Sequence, residues 1–146
     1  GRKTARDGGK NAKDIAAQIA KTESELQASG TVAAQAMALH LKNAREAFLD
    51  VVDFVAGKTK ASPNAVYAGS VPYLMLTGNL VAGWQMGRAL LVAQAKAAQG
   101  EDVAFMQAKV VTAQFYAEHI LTRTTSLRDS ILAGGESACA LPLEAF

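Results

Sequence analysis

Apolar residues recur along most of the chain at alternating spacings of three and four, which is the period of an amphipathic helix. The clearest stripe lies in the second predicted helix and consists of Met37, Leu41, Ala44, Phe48, Val51 and Val55. The charged side chains of this segment lie mostly off the stripe and are predicted to face water; they are Lys42, Arg45, Glu46, Asp50 and Asp53. Such a stripe is typical of a helix that packs in a bundle.

Glycine, proline and capping residues set the limits of the other early helices. Residues 1–10 are predicted to be a loose lead-in with a hinge at its two glycines, followed by a helix over residues 11–28. That helix places Ile15, Ile19, Thr22 and Leu26 on one face. Gly30 ends it, Thr31 caps the second helix, and residues 57–60 end the second helix.

Proline positions divide the next segment. Ser62 and Pro63 are a start signal for a short helix over residues 63–69. Pro72 permits two interpretations, a kink in one long helix or a new helix that begins at Ser70. We favour the new helix, running to about Gln99 and ended by Gly100.

A last long helix follows Glu101 and Asp102, whose charges suit its N-terminus. Its stripe is Val103, Met106, Val110, Ala113, Ala117, Ile120, Thr124, Leu127 and Ile131, and beside it runs a second row of Phe105, Ala108, Thr112, Phe115 and His119. Two rows predict burial on more than one side. Gly134 and Gly135 are expected to close the helix, and the apolar tail over residues 136–146 is expected to dock. The prediction is one all-α domain over residues 1–146, an up-and-down bundle of four main helices.

The segment over residues 61–87 contains no charged side chain. Because charge is costly to bury, such a run indicates a helix hidden on most sides, in lipid or in protein. Scattered amides, hydroxyls and Pro72 favour protein, so we expect a buried central helix and no membrane span. Gly83 and Gly87 share a face, which suits either close helix packing or a groove for an acyl chain or cofactor. Trp84 beside them needs a partner for its indole N–H if it is buried.

Candidates for chemistry are few. His40 and His119, with Glu118, could meet on different helices, but two histidines and one cysteine make a metal site improbable on composition. Cys139 excludes an internal disulfide and fits a reducing, cytoplasmic setting. Ser137 lacks the context of a nucleophile, and residues 8–10 lack that of a phosphate loop. A net charge of +2 is too small to indicate nucleic-acid binding. The residues by themselves indicate a helical domain with no catalytic residue and no metal site, and leave cofactor-binding residues unknown.

Several short motifs resemble large bacterial acyl-CoA dehydrogenases of the acetyl-CoA dehydrogenase-like and methylthio-propanoyl-CoA dehydrogenase type. Residues 1–4 and 7–9 look like the exit from the catalytic core of these enzymes. Their C-terminal helical extension is resembled by residues 72–74, 83–84, 109, 113–121 and 134–137. The most specific part of the match is residues 115–121 with residues 134–137. The resemblance covers nearly the whole chain.

The resemblance implies a domain that lacks the catalytic residues of the enzyme. Family members use FAD to remove hydrogens from the α,β-carbons of an acyl-CoA, with a glutamate of a Tyr-Glu-Gly motif as base. That motif is expected upstream of Gly1, so no catalytic residue carries over and this chain alone should not be an enzyme. The implied function is to pack on the FAD-containing catalytic core and to support the oligomer or the acyl pocket, and a homo-oligomer is expected. The alternative is a free-standing helical interaction module that self-associates.

Overall fold

The computed structural model describes residues 2–145, except for the side chains of Arg2 and Leu143. This part of the chain is all-helical, as predicted, with no strand in it. Its α-helices are α1 (Arg2–Arg6), α2 (Lys10–Ser29), α3 (Val32–Lys58), α4 (Pro63–Ala68), α5 (Ser70–Ala98), α6 (Val103–Tyr116) and α7 (Arg123–Ala138). A π-helical turn (Ala117–Leu121) joins α6 to α7, and a 3₁₀ turn (Leu143–Ala145) ends the described chain. The short helix near residues 63–69 and the new helix from Ser70 are confirmed.

Helix α3 lies at the centre of the core. All six residues of its predicted stripe are at most 4% exposed. The helix packs against α2, α5, α7 and the π-helical turn. Thr31 caps it as expected, since its hydroxyl accepts a hydrogen bond from the Ala34 N–H at 3.2 Å. In α2, the face predicted from periodicity is buried except for Ile15, which is 39% exposed.

One charged pair joins α2 to α3 inside the domain. Arg45 donates from Nε to Oε1 of Glu23 at 2.7 Å and from its terminal Nη2 to Oε2 at 3.0 Å. Both side chains are mostly buried, so the prediction that Arg45 faces water is wrong. The hydrogen bond to Glu23 raises the pKa of Arg45 above its ordinary value. The carboxylate came from another helix, which the local pattern around Arg45 could not show.

The lead-in is ordered in a way that the sequence did not predict. Helix α1 packs on α3, and Thr4 Oγ1 lies 3.1 Å from the hydroxyl of Tyr73. Gly8 and Gly9 form a tight turn with φ angles of 63° and 83°, and Gly9 is buried. A Cβ on Gly9 would lie 2.5 Å from Val52 Cγ1. The turn is therefore fixed by backbone conformation and packing, and the predicted hinge is wrong.

The C-terminal third also differs from expectation. The π-helical turn interrupts the predicted last helix, and α7 continues through Gly134 and Gly135 to Ala138. The glycines do not close the helix, and Gly135 lies where α4 packs closely on α7. A Cβ there would lie 2.8 Å from the carbonyl oxygen of Ala65. The predicted count of four main helices treats as one helix what the structure divides into α6, the π-helical turn and α7.

The tail does not dock on this domain over the residues described. Residues 139–145 are exposed wherever their side chains are described, and Leu141 is 65% exposed. Gly1 and Phe146, which belong to the predicted lead-in and tail, lie outside the described residues. The docking of the tail on another partner stays a prediction.

Candidate functional site

Helix α5, which contains most of the uncharged run, is buried on one side only. Its inward side includes Tyr73, Leu76, Leu80, Gly83, Gly87, Leu90 and Ala93. Its outward side begins with a row of uncharged residues, here called the α5 face: Val71, Leu74, Met75, Gly78, Val81 and Ala82. Leu74 is 72% exposed and Val71 is 68% exposed. The prediction of burial on most sides is wrong for this chain, because the other helices cover only one side of α5.

The sequence contained a signal for this face. Its members recur at spacings of three and four on the opposite side of α5 from Leu76 and Leu80. The segment thus has two apolar rows on opposite sides of the helix. Sequence reasoning predicted a buried central helix from the absence of charge and did not separate the two rows.

The glycines in α5 are packing positions. A Cβ on Gly83 would lie 2.6 Å from Cδ2 of Leu121, and one on Gly87 would lie 3.1 Å from Cδ1 of Leu26. Side chains fill the space beside both glycines, which supports the packing interpretation over a groove for an acyl chain or cofactor. The approaching atoms belong to side chains and not to a neighbouring backbone. Trp84 donates its indole N–H to the buried hydroxyl of Thr22 at 2.9 Å, so this N–H has the hydrogen-bond partner that burial requires.

Helix α6 also presents an apolar row to the outside. The predicted second row of Phe105, Ala108, Thr112, Phe115 and His119, here called the α6 face, is exposed at every position. Phe115 and His119 stack on one another with ring centroids 4.3 Å apart. The inner side of α6 is tied to α5 by Tyr116, which donates its hydroxyl to the carbonyl of Asn79 at 3.1 Å. Burial raises the pKa of this tyrosine. The prediction that this second row is buried is wrong for the chain by itself.

A groove of about 450 Å³ lies between the C-terminal half of α5 and the start of α6. Its lining includes Val92 and Met106, and the cations Arg88, Lys96 and Lys109. Lys96 is paired with Glu101 at 2.8 Å. Arg88 and Lys109 make no ion pair with the residues described; each lies over an aromatic ring of its own helix, at 5.8 Å and 4.7 Å from the ring centroid. The groove offers contacts for an acidic group with an apolar part, and its residues supply no nucleophile or general base.

The other chemical candidates do not assemble into a site. No group of three or more His, Cys, Asp or Glu side chains suited to a metal occurs among residues 2–145. His119 and Glu118 are exposed, and Glu118 accepts a hydrogen bond from Gln114 at 2.9 Å. Cys139 is exposed. Ser137 donates its hydroxyl to the carbonyl of Gly134, which is a local helix contact.

Membrane insertion finds no support in the helices described. None of them combines the length and the hydropathy that a bilayer crossing requires.

The chain is similar to two curated enzymes over part of their length. It is 45% identical over 137 residues to 3-methylmercaptopropionyl-CoA dehydrogenase of Ruegeria pomeroyi. The aligned residues cover 94% of this chain and 23% of that protein. It is 39% identical over 66 residues to the broad-specificity linear acyl-CoA dehydrogenase FadE5 of Mycobacterium tuberculosis, covering 43% of this chain and 11% of that protein. The chain thus spans less than a quarter of the length of either relative.

No solved structure gives a significant match to the chain. The family comparison is decisive, because the match runs over residues 12–142, from the first turn of α2 to beyond the end of α7. The resemblance noted in the sequence is thereby confirmed, and the chain belongs to the family of acetyl-CoA dehydrogenase C-terminal-like domains.

Proposed function

We propose that this chain is the C-terminal helical domain of an FAD-dependent acyl-CoA dehydrogenase, and that it packs on the catalytic core. In this proposal the core binds the flavin and the acyl-CoA, and the domain supports the oligomer or the acyl pocket. The exposed, uncharged α5 face carries the proposal. A domain that leaves such a row in water is better explained as one part of a larger folded unit.

We infer that the flavin is bound outside this domain. At the glycine turn, Val52 fills the space beside Gly9, and the turn joins two helices, whereas a phosphate loop follows a strand. The space beside Gly83 and Gly87 is filled by leucine side chains. The groove between α5 and α6 is open, and its residues supply no base for removing an α-proton. Any flavin chemistry of the parent enzyme is therefore assigned to its other domains.

The relatives support the class of substrate but not its identity. Both are named as acyl-CoA dehydrogenases, and one is named for 3-methylmercaptopropionyl-CoA. We propose an acyl-CoA as the substrate of the parent enzyme.

The experiment compares the parent enzyme, the enzyme truncated before this domain, and the domain alone. Flavin absorbance, acyl-CoA dehydrogenation with an artificial electron acceptor, and sedimentation are measured for each. We expect the domain alone to be colourless and inactive, and to bind the separately made core at micromolar concentration or below. Truncation should impair flavin retention, activity or assembly.

The alternative is a free-standing module that self-associates. The same α5 and α6 faces favour it, because two copies could cover each other. It predicts a start codon close upstream of this segment in the gene, and a stable homo-oligomer of the chain without any core. A coding sequence with a Tyr-Glu-Gly-containing flavoenzyme upstream would exclude it.

A further inference from the structure

The groove between α5 and α6 combines free cations with an apolar lining. Arg88 and Lys109 line it, and neither makes an ion pair within the described part of the chain. The third cation of the lining is already paired with a glutamate. The lining also includes the apolar side chains of Val92 and Met106. Such a groove suits a peptide segment that carries a carboxylate next to apolar residues.

The tail of this chain has that chemistry. Over residues 139–145 its one charged side chain is Glu144, and leucines occupy positions 141 and 143. Glu144 is exposed, and Leu141 is 65% exposed. An exposed apolar segment with one carboxylate and a groove with two free cations are thus complementary in charge and in polarity.

The tail leaves the domain at the end of α5 that lies away from the groove. A Cβ on Gly83 would lie 2.6 Å from Leu121, which precedes α7, and a Cβ on Gly69 would lie 3.0 Å from Ile131 inside α7. Helix α7 therefore runs antiparallel to α5. It leads the tail past the N-terminal end of α5, whereas the groove lies beside the C-terminal half of α5.

A second copy of the chain overcomes this separation. Residues 139–145 span at most about 25 Å when fully extended. Val92, in the middle of the groove, lies roughly 35 Å further along α5 than Gly69 at about 1.5 Å per residue, so the tail falls short of the groove of its own domain. Two copies with antiparallel α5 helices, related by a two-fold axis, place each tail beside the groove of the other copy. Both contacts then form together.

We propose that the tail of one copy docks in the groove between α5 and α6 of a second copy. Glu144 then faces Arg88 and Lys109, and Leu141 packs on the apolar lining. The proposal does not depend on whether a catalytic core precedes the chain. Two short segments bury less area than an interface of standard size, so the isolated chain should dimerise weakly, with a Kd on the order of 100 μM. This weak association differs from the stable homo-oligomer expected of a free-standing module.

Sedimentation of the whole chain over a range of concentrations tests the contributions of the tail. Glu144→Lys should raise the dimer Kd by about tenfold or more, because it replaces attraction to two cations by repulsion at both contacts of the dimer. Leu141→Ala should have an effect of similar size, since it removes apolar area that the groove would bury. Glu136→Lys is the matched control, because it makes the same charge change at an exposed position of α7. It should change the Kd by less than about threefold.

Charge reversal on both sides makes the test specific for the groove. Arg88→Glu/Lys109→Glu should weaken the dimer about as much as Glu144→Lys does. All three substitutions together should restore the Kd to within about threefold of its natural value, because the opposite charges are again paired. Lys21→Glu/Lys60→Glu is the matched control, since both lysines are exposed and lie outside the groove. It should leave the dimer Kd close to that of the natural chain.

A free peptide separates the groove from the dimer. A fluorescently labelled peptide of residues 138–146 is titrated with a chain that ends at Ala138, and anisotropy is measured. Since the tail packs on nothing else in this domain, its removal should leave the thermal midpoint unchanged. The natural peptide should bind one per chain, and the peptide with Glu144→Lys should bind about threefold more weakly or worse. That substitution leaves the protein unaltered, so the loss cannot come from misfolding.

The outcomes keep this proposal apart from the proposed function. A chain that stays monomeric at every concentration and binds no peptide would overturn tail docking. Association or peptide binding that the reversals at Arg88 and Lys109 leave unchanged would place the contact elsewhere and would also overturn it. Neither result bears on whether the domain packs on a catalytic core. Failure to bind the separately made core would count against the proposed function alone.

Discussion

The contact between Gly83 and Leu121 can be tested by adding one methyl group. The Cβ of alanine at position 83 would lie 2.6 Å from Cδ2 of Leu121 and 3.0 Å from both Cδ1 and Cγ. Leu121 is 1% exposed, so it cannot move into solvent without opening the core. Gly78 lies on the outer side of the same helix, and a Cβ there meets nothing within 4 Å. The two glycines therefore form a matched pair that differs in packing.

The magnitudes follow from two opposing effects. Replacing glycine by alanine inside a helix stabilises it by about 1 kcal/mol. Overpacking a well-filled core costs about 1–3 kcal/mol. Gly78→Ala should therefore raise the free energy of unfolding by about 0.5–1 kcal/mol, and Gly83→Ala should lower it by up to about 2 kcal/mol. The gap between the variants, about 1–3 kcal/mol, measures the packing cost and corresponds to roughly 3–9 °C in the midpoint for a chain of this size.

Urea unfolding followed by circular dichroism at 222 nm gives both free energies by linear extrapolation. The double variant Gly83→Ala/Leu121→Ala completes a cycle. Its second substitution should cost less than Leu121→Ala costs in the unsubstituted chain, because the new methyl fills part of the cavity. Equal stabilisation by Gly78→Ala and Gly83→Ala, with no coupling in the cycle, would show that Leu121 does not constrain α5 and would refute the packing argument.

Three further substitutions test the less local features of the fold. Gly9→Ala should lower the free energy of unfolding by about 2–4 kcal/mol in a urea titration, because the residue has φ 83° and a valine side chain of α3 lies 2.5 Å from the added Cβ. Gly30 has φ 70° but open space around it. Gly30→Ala should therefore lose only the free energy that comes from the unfavourable backbone conformation. Glu23→Gln should cost about 1–3 kcal/mol by the same titration, since it breaks a mostly buried bidentate pair with an arginine, and Glu25→Gln at an exposed position of α2 should be near neutral. Burial would raise the pKa of Asp7. Hydrogen bonds that its carboxylate accepts from Gly9 and Asn11 outweigh this effect and lower the pKa below the ordinary 3.8. The stabilisation is thus present above that value and lost as the pH falls through the lower folded-state pKa, so thermal midpoints of the natural chain and Asp7→Asn should converge below about pH 4; a constant difference down to pH 2.5 would contradict this assignment.

Local patterns predicted the helices well, and they failed where the partner was distant. The stripe of α3 was predictable because its period is a property of consecutive residues. Arg45 was predicted to face water, because nothing near it in sequence reveals Glu23 on another helix. Gly135 was taken as a helix end because glycine usually ends helices; its contact with Ala65, seventy positions away, shows the actual reason for a small residue there.

The candidate site was predictable in composition but not in position. The sequence predicted that residues 61–87 are buried, and the structure leaves the α5 face of this segment exposed. The groove with Arg88 and Lys109 was missed, because it forms only where α5 and α6 lie side by side. No signal within either helix marks those two cations as neighbours.

By itself the sequence determined the helical class, most helix limits and the central stripe, because capping, turn chemistry and periodicity act within a few residues. Its motifs also identified the family. Only the tertiary structure decided which apolar rows this chain covers by itself and which it leaves exposed. The hydrophobic effect favours burial of an apolar surface, but it does not specify which other surface will cover it. Helix packing decides this, and in this chain it covers one side of α5 and of α6 and exposes the other side of each.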